Sequence, residues 1–236
     1  NGRTIILDSA SLINNQWLPQ ERAWNYGVSY MTNFMMFDYP ATLVMDYFET
    51  KFLSQVLVDR DQNATEVYIN SVHGKEAGKT RIAQVDLNGY LHRRLSFKVS
   101  YRWINSQQWL NYQFQQQPLQ SIHRAIGALQ YQTRNKWYID AVGQFNSRKR
   151  LPYYSSINHP QHPGYSPNYW IVNLQVRKVI SQQFEFYFGG ENLANVSQHH
   201  PIMNWEKPAA TDFDAGYAWG PTNGRTVYAG LRWSIF

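Results

Sequence analysis

Residues 95–103, Leu-Ser-Phe-Lys-Val-Ser-Tyr-Arg-Trp, alternate between apolar or aromatic side chains and polar ones. Successive side chains of a β-strand point to opposite faces of its sheet, so this alternation predicts a strand with one apolar and one polar face. The same period of two recurs along most of the chain. It predicts further strands at Trp24–Met36, Thr42–Val58, Ala83–Asn88, Ala125–Gln132, Trp137–Asn146, Trp170–Arg177, Phe184–Gly189 and Val227–Ile235.

The connections between these strands alternate in length. Short ones are predicted at Asp38–Pro40, His92–Arg94, Asn135–Lys136 and Ile180–Gln182. Long ones are predicted at Asp59–Gly78, Ser106–Ile122, Arg148–Pro167 and Ala194–Asn223. Short turns at one end of a sheet and long loops at the other are typical of an outer-membrane β-barrel, in which the long loops face outside.

The amino-acid composition excludes several classes of protein. The chain has 236 residues, a net charge of +6, 16% charged residues and 16% aromatic residues. Charged residues usually make up about a quarter of a soluble domain, so this content is low. The absence of cysteine excludes a disulfide scaffold, a thiol nucleophile and a cysteine zinc site. The chain contains no apolar run of about 18 residues, which excludes a transmembrane helix.

The chemistry of the two faces also favours a membrane barrel. Trp, Tyr and Phe are frequent near the strand ends of the apolar face, as an aromatic girdle requires. The opposite face carries acids, amides and cations that a wet or plugged lumen tolerates and hydrocarbon does not. The prediction is an all-β, transmembrane, antiparallel up-and-down barrel. A soluble β-sandwich is the alternative, and extraction without detergent would establish it.

The predicted number of strands is odd, which affects whether the chain can form a closed barrel. If the last of about nine strands ends in the periplasm, the first descends from outside, and residues 1–22 belong to an extracellular connection. An odd number of strands cannot close as single-chain bacterial barrels do, and an open edge is not tolerated in lipid. Further strands are therefore expected on missing sequence or on another chain.

The C-terminal stretch carries more specific motifs. Gly189-Gly190-Glu191-Asn192-Leu193 is followed by Pro201-Ile202, Phe213-Asp214-Ala215, Trp219-Gly220-Pro221, Gly224-Arg225 and Tyr228–Trp233, and upstream motifs lie at Ala23–Gly27, Arg150–Pro152 and Ser166-Pro167. In this order they resemble the TonB-dependent outer-membrane receptors, especially those of the Bacteroidota. The resemblance implies a barrel of about 22 strands plugged by an N-terminal domain. Residues 1–236 would be its C-terminal part, with the plug and first strands elsewhere.

The resemblance also implies a function. Such a receptor imports a scarce ligand across the outer membrane, namely an iron chelate, haem, cobalamin or another metal chelate. Its implied partners are the N-terminal barrel half and plug, the TonB–ExbB–ExbD complex, outer-membrane lipids and lipopolysaccharide, and a surface lipoprotein. No enzymatic activity, cofactor or nucleic acid is expected. A passive porin or structural barrel is the alternative, and a barrel enzyme would need a hydroxyl, an imidazole and a carboxylate at the outer rim.

Three groups of residues are candidates for function. On the polar face, charges expected to face the lumen or plug and to need partners there are Asp86, Lys98, Arg102, Asp140, Arg177, Glu185 and Arg232. In the long loops, side chains that suit a metal chelate or a flat ligand are His159, His162, His199, His200, Trp109, Tyr112, Tyr153 and Tyr154. Exposed loop residues with no ligand are the alternative for the second group.

The chain end forms the third group. Trp233 and Ile235 continue the apolar series, and Phe236 falls one residue out of phase. The resemblance implies that Trp233, Ile235 and Phe236 serve as the C-terminal signal that outer-membrane barrels present to their assembly machinery.

Overall fold

The computed structural model describes residues 4–7, 20–62, 66–74, 77–110, 113–152, 164–210 and 213–235. Within these ranges the backbone forms one large sheet. No helix there is long and apolar enough to cross a membrane. The strands are β1 (Thr4–Leu7), β2 (Arg22–Met36), β3 (Tyr39–Asp59), β4 (Glu66–His73), β5 (Lys79–His92), β6 (Leu95–Leu110), β7 (Gln113–Gln116), β8 (His123–Gln132), β9 (Trp137–Asn146), β10 (Tyr169–Val179), β11 (Phe184–Glu191) and β12 (Thr226–Trp233).

The nine strands predicted from alternation are confirmed as β2, β3, β5, β6 and β8 to β12. They pair antiparallel in an up-and-down order, each long strand beside the next. The other three strands are short and lie within stretches predicted as connections. β4 pairs with the C-terminal part of β3, β7 forms a hairpin with the end of β6, and β1 runs parallel to β4.

Two predicted boundaries are therefore wrong. β3 has 21 residues and begins at Tyr39 rather than Thr42, while its end at Asp59 is one residue past the predicted Val58. β6 has 16 residues and continues past Trp103 to Leu110, where it pairs with β7 inside a predicted connection. The first short turn is Phe37–Asp38 rather than Asp38–Pro40. Both turn residues have positive φ, 52° and 65°, the geometry whose twist suits a two-residue hairpin. Pro40 lies inside β3, opposite Met35.

The pairing register places apolar residues of one strand opposite apolar residues of the next. Val99 lies opposite Leu87 on one side and Gly127 on the other, whereas the next residue, Ser100, lies opposite Asp86 and Ile126. Apolar positions therefore form one continuous face across the nine long strands. Polar positions concentrate on the other face.

The apolar face is exposed in the chain. Leu129 is 50% exposed, Trp170 54% and Leu231 72%. Soluble proteins rarely expose contiguous apolar surface of this extent. β8, β9 and β10 have 10, 10 and 11 residues, the length with which a tilted strand crosses hydrocarbon. The apolar face is thus suited to contact lipid.

Aromatic rings mark both ends of this face. At the end with the short turns, Phe184 and Trp233 stack with ring centroids 5.8 Å apart, and Lys178 Nζ lies 5.1 Å from the Trp137 ring. At the opposite end, Phe145 contacts Trp170 at 5.0 Å. Aromatic rings and lysines at these depths are typical of the boundaries between hydrocarbon and headgroups.

On the polar face, tyrosine rings cover glycines of the neighbouring strand. Tyr187 of β11 lies opposite Gly230 of β12, and Tyr228 of β12 lies opposite Gly189 of β11. A Cβ atom added to Gly230 would meet the Tyr187 ring at 2.3 Å, and one added to Gly189 would meet the Tyr228 ring at 2.4 Å. These reciprocal pairs favour a single register, because a slip by one residue would move every ring to the wrong face.

The same packing at Gly27 gives a stability prediction. In Gly27→Ala, the new Cβ would lie 2.3 Å from the Phe48 ring and 2.4 Å from the Tyr47 carbonyl oxygen. Overpacking of this kind costs about 1–3 kcal/mol, so the temperature at which the folded band disappears in semi-native electrophoresis should fall. Gly143→Ala is the control, because its Cβ would meet nothing within 4 Å. Equal shifts for the two variants would contradict the packing argument.

The assignment of faces is tested by neighbouring residues of β8. Leu129 lies on the apolar face and Gln130 on the polar face, opposite Asp140. Leu129→Arg should lower the unfolding free energy, by up to about 2–4 kcal/mol if the position is near the bilayer midplane. Gln130→Arg should be tolerated. Unfolding in lipid vesicles by urea measures both, and a more harmful Gln130→Arg would reverse the two faces.

Candidate functional site

The long connections pack together at one end of the sheet. Leu151, Met203 and Tyr217 are 1%, 4% and 4% exposed and form an apolar cluster, against which Leu119 and Trp219 pack. Burial raises the pKa of Tyr217 to about 12, with a smaller contribution from the charge of Asp214. We call the described parts of these connections the loop body: residues 59–62, 117–122, 147–152, 164–168 and 192–225 without 211–212.

A buried ion pair joins three parts of this end. Arg150 Nη1 lies 2.7 Å from Asp61 Oδ2, and the two side chains are 10% and 1% exposed. Arg150 Nε also donates to the Gln116 carbonyl oxygen at 2.6 Å. The Asp61 backbone N–H donates to Asp59 Oδ1 at 2.8 Å. One guanidinium thus connects the end of β3, the end of β7 and the connection after β9.

Buried amides fix the last connection. Gln198 Oε1 accepts the N–H groups of Trp219 and Gly220 at 2.7 and 3.2 Å, and Gln198 Nε2 donates to the Tyr217 carbonyl oxygen at 3.1 Å. Asn192, from the Gly-Gly-Glu-Asn-Leu motif, exchanges two hydrogen bonds with the Val196 backbone. These contacts explain why the connection has a defined path and where it places Trp219.

A cavity of about 620 Å³ lies between the loop body and the polar face. Inward-facing residues of four successive neighbours in the sheet, β6, β8, β9 and β10, form its floor, and the loop body forms its roof. The lining residues are Arg102, Ile104, Gln117, Pro118, Leu119, Gln120, Ser121, Arg124, Gln144, Asn146, Lys149, Tyr169, Ile171, Ala218, Trp219, Gly220 and Pro221. The long connections therefore fold over the polar face, as loops over a barrel mouth do.

The cavity is cationic. Its lining includes Arg102, Arg124 and Lys149 and no acidic residue. Arg102 and Arg124 are direct cross-strand partners, an arrangement that is unfavourable for like charges. Arg102 Nε is buried with no hydrogen-bond partner. Ion pairs found among the described residues involve none of the three cations.

Aromatic and amide groups complete the lining. Lys149 Nζ lies 5.5 Å from the Tyr169 ring centre and donates to the Trp219 carbonyl oxygen. The Tyr169 and Trp219 rings contact each other at 5.8 Å. Amides come from Gln117, Gln120, Gln144 and Asn146. The arrangement can bind an anionic group by charge and a flat group by ring contact.

The predicted loop residues are placed as follows. His199 lines a second cavity of about 470 Å³, beside Trp170 and Trp219, and His200 is exposed next to it. Trp109 packs edge-on against Phe114 at 5.0 Å in the β6–β7 hairpin and lines neither cavity. Lying outside the described residues are His159, His162, Tyr112, Tyr153 and Tyr154.

The metal hypothesis gains no support from the described part of the chain. No group of three or more His, Asp or Glu side chains there could hold a metal ion. The convergence of the two histidine pairs stays a prediction.

The seven charges predicted for the lumen lie on the polar face, and several satisfy each other. Glu185 binds Arg177 at 2.9 Å and Arg232 at 2.6 Å. Asp86 accepts hydrogen bonds from Ser100 Oγ at 2.5 Å and Gln84 Nε2 at 2.6 Å.

The other predicted charges lie beside polar neighbours or in the cavity. Asp140 lies opposite Gln130 and Gln175, and Lys98 lies opposite Asn88. Arg102 lines the cavity. Their contact with a plug remains a prediction.

At the chain end, Trp233 lies on the apolar face against Phe184, and Ile235 is 79% exposed. Phe236 falls outside the described residues. The role of these three residues in assembly stays a prediction.

Of the residues that line the cavity, sequence reasoning identified only Arg102, and it missed the two other cations and the ring of Trp219. Arg124 is in phase with the polar positions of β8, so the alternation could have identified it. Lys149 and Trp219 come from irregular connections, where no period indicates direction. Only the folded connections bring them together.

Comparisons with known proteins agree with this architecture. No protein-family model matches the sequence, and no curated protein sequence matches it. Solved structures do match. The ferric-catecholate import receptor Fiu of E. coli K12 shares 14% identity with a TM-score of 0.62, over 90% of this chain and 27% of that chain.

Two further receptors match over similar lengths. The copper transporter OprC shares 12% identity with a TM-score of 0.62, over 97% of this chain and 33% of its own. A mutant of the ferric enterobactin receptor PfeA of Pseudomonas aeruginosa shares 14% identity with a TM-score of 0.58, over 91% and 31%. The chain thus spans about a third of the length of the receptors it matches.

The fold is that of part of a TonB-dependent outer-membrane receptor barrel. The neighbours are transport receptors rather than enzymes. The predicted Bacteroidota type stays a prediction, since the matches establish the fold alone.

The ion pair between Arg150 and Asp61 gives a local stability prediction. Arg150→Met removes the cation that pairs with the buried Asp61 carboxylate, and breaking a buried pair from one side costs about 3–5 kcal/mol. Amide hydrogen exchange of residues 59–62 and 116–121 should therefore accelerate. The double variant Asp61→Leu/Arg150→Met should exchange more slowly than the single variant.

Arg148→Met is the matched control. Its guanidinium lies 4.9 Å from the Tyr165 ring centre on an exposed side chain, so exchange should change little. Unchanged exchange in Arg150→Met would show that the ion pair does not hold these connections together.

Proposed function

We propose that residues 1–236 form the C-terminal part of the barrel of a TonB-dependent receptor, and that the whole protein imports a scarce metal chelate across the outer membrane. The cationic cavity under the loop body carries this proposal. It lies where a ligand entering from outside would first meet both the loops and the polar face. Ligand sites commonly occur in the mouths of β-barrels.

We further propose that the ligand is anionic. Arg102, Arg124 and Lys149 bring three positive charges to one cavity whose lining contains no acid. An anion bound there would relieve the repulsion between the two cross-strand arginines and satisfy the buried Arg102 Nε. Tyr169 and Trp219 add ring surfaces for flat groups such as catechols or a porphyrin. Among the chelates considered, ferric catecholates and haem fit this chemistry better than an uncharged ligand.

Active import needs a plug and an energy source. The structural neighbours are TonB-dependent receptors, which supports a plug domain that contacts TonB. Binding in the cavity would be followed by displacement of the plug, with no covalent change to the ligand. The charges around Glu185 and Asp86 would then contact the plug on the polar face.

Binding measurements test the cavity. Arg124→Gln should weaken binding of ferric enterobactin or haem by about 10- to 100-fold, since a hydrogen bond to a charged group contributes about 1.5–3 kcal/mol. Arg134→Gln is the matched control, because Arg134 is exposed just beyond the other end of β8. Quenching of tryptophan fluorescence gives both dissociation constants. Equal affinities in the two variants would show that the cavity does not bind the ligand.

The energy dependence of ligand uptake distinguishes active import from passage through a passive porin. In cells that produce the protein, uptake of the bound chelate should stop when a protonophore collapses the proton gradient. Uptake that continues unchanged would indicate a passive porin, whatever the result for Arg124→Gln. The two measurements therefore test the site and the mechanism separately.

A further inference from the structure

Charged side chains gather at one place on the apolar face, the loop-side end of β3 and β5. We call Glu49, Lys51, Lys79 and Arg81 the boundary cluster. Glu49 lies opposite Arg81, and Lys51 lies opposite Lys79, all on the face that carries Tyr47 and the other apolar positions. On β9 and β10, the loop-side end of the same face presents Phe145 and Trp170 instead of charges.

Glu49 is the centre of the boundary cluster. Its Oε2 atom lies 3.1 Å from Arg81 Nε and accepts the Tyr47 hydroxyl at 3.3 Å, and its Oε1 atom lies 3.7 Å from Lys51 Nζ. Glu49 is only 7% exposed. The Lys51 and Arg81 side chains are 57% and 39% exposed, so their charges reach the surface.

The cluster has more positive than negative charge. It contains three cations and one carboxylate, and both oxygens of that carboxylate already have partners. Lys51 and Lys79 face each other directly, which is unfavourable without a further anion. The nearby Glu21 carboxylate accepts the Val56 N–H at 2.9 Å, farther along β3. Two positive charges therefore remain to be balanced from outside the cluster.

The position of the boundary cluster indicates which anions neutralise its two excess positive charges. Towards the short turns, the next residues on this face are Val28, Tyr47 and Ala83, followed by Val85, which suits them to hydrocarbon. On the loop side, Trp24 is 68% exposed and lies opposite Lys51, as an interfacial ring would. At this depth the available anions are lipid phosphates, which attract basic side chains near the surface.

We propose that the boundary cluster binds the phosphates of a diphosphorylated glycolipid of the outer leaflet, with its acyl chains along Val28, Tyr47 and Val85. Two phosphate groups match the two unbalanced charges better than the single phosphate of a phospholipid. The cluster lies on the opposite face from the cationic cavity. This lipid site requires only that the apolar face spans the membrane. A failure of the proposed import function would not affect it.

Delipidated protein titrated with diphosphorylated lipid A, followed by native mass spectrometry, tests the site. Lys51→Gln/Lys79→Gln should lower the apparent affinity about 30-fold, from two basic side chains at the membrane surface. Lys178→Gln is the control, because Lys178 lies on the same face at the short-turn end, beside Trp137. It should change the affinity less than twofold. Equal losses in the two variants would overturn the proposal.

Measurements on the unmodified protein keep the test valid if the double variant fails to fold. Dephosphorylated lipid A and phosphatidylglycerol should each bind at least tenfold more weakly than diphosphorylated lipid A. Equal binding of the dephosphorylated form would show that acyl chains alone are recognised. Equal binding of phosphatidylglycerol would refute the glycolipid assignment. Displacement of lipid A by millimolar inorganic phosphate would instead indicate a site for free phosphate.

Discussion

Backbone hydrogen bonding in hydrocarbon is the constraint on which this structure depends. Lipid offers no partner for an N–H or C=O group, so each spanning strand must pair along its length with neighbours. The nine long strands do so in an unbroken antiparallel series from β2 to β12. Within the described residues, β2 pairs only with β3 and β12 only with β11, so the outer edges of both need partner strands in the membrane.

The nine long strands, here called the wall, and the loop body are stabilised in different ways. In the wall, side chains on one face have little to pack against within the chain, and register is fixed by pairs such as Tyr187 with Gly230 and by hydrogen bonds between strands. In the loop body, apolar burial returns around Leu151 and Tyr217, and buried polar groups such as Gln198 and Asp61 bind neighbouring backbone or charge. The most fully buried residues accordingly lie mainly toward the loop end of the sheet.

The sequence predicts the wall well and the cavity poorly, for a physical reason. Alternation is a local property, so residues such as Val99 and Ser100 reveal their faces without knowledge of the partner strand. The extensions β4 and β7 pair with the adjacent ends of β3 and β6, but their sequences, EVYINSVH and QFQQ, carry no clear alternation that would predict a strand. The cavity needs Lys149 to meet Trp219 across 70 positions of sequence, through connections whose paths are set by buried amides and one ion pair.

The guanidinium of Arg150 has a consequence for how a guest could enter. Because one side chain connects Asp61, Gln116 and its own segment, these segments cannot open independently; they shift together or stay closed. A roof built in this way has already lost most of its conformational entropy before a guest arrives. Access to the cavity would then depend on a single concerted opening of these segments rather than on a series of small adjustments.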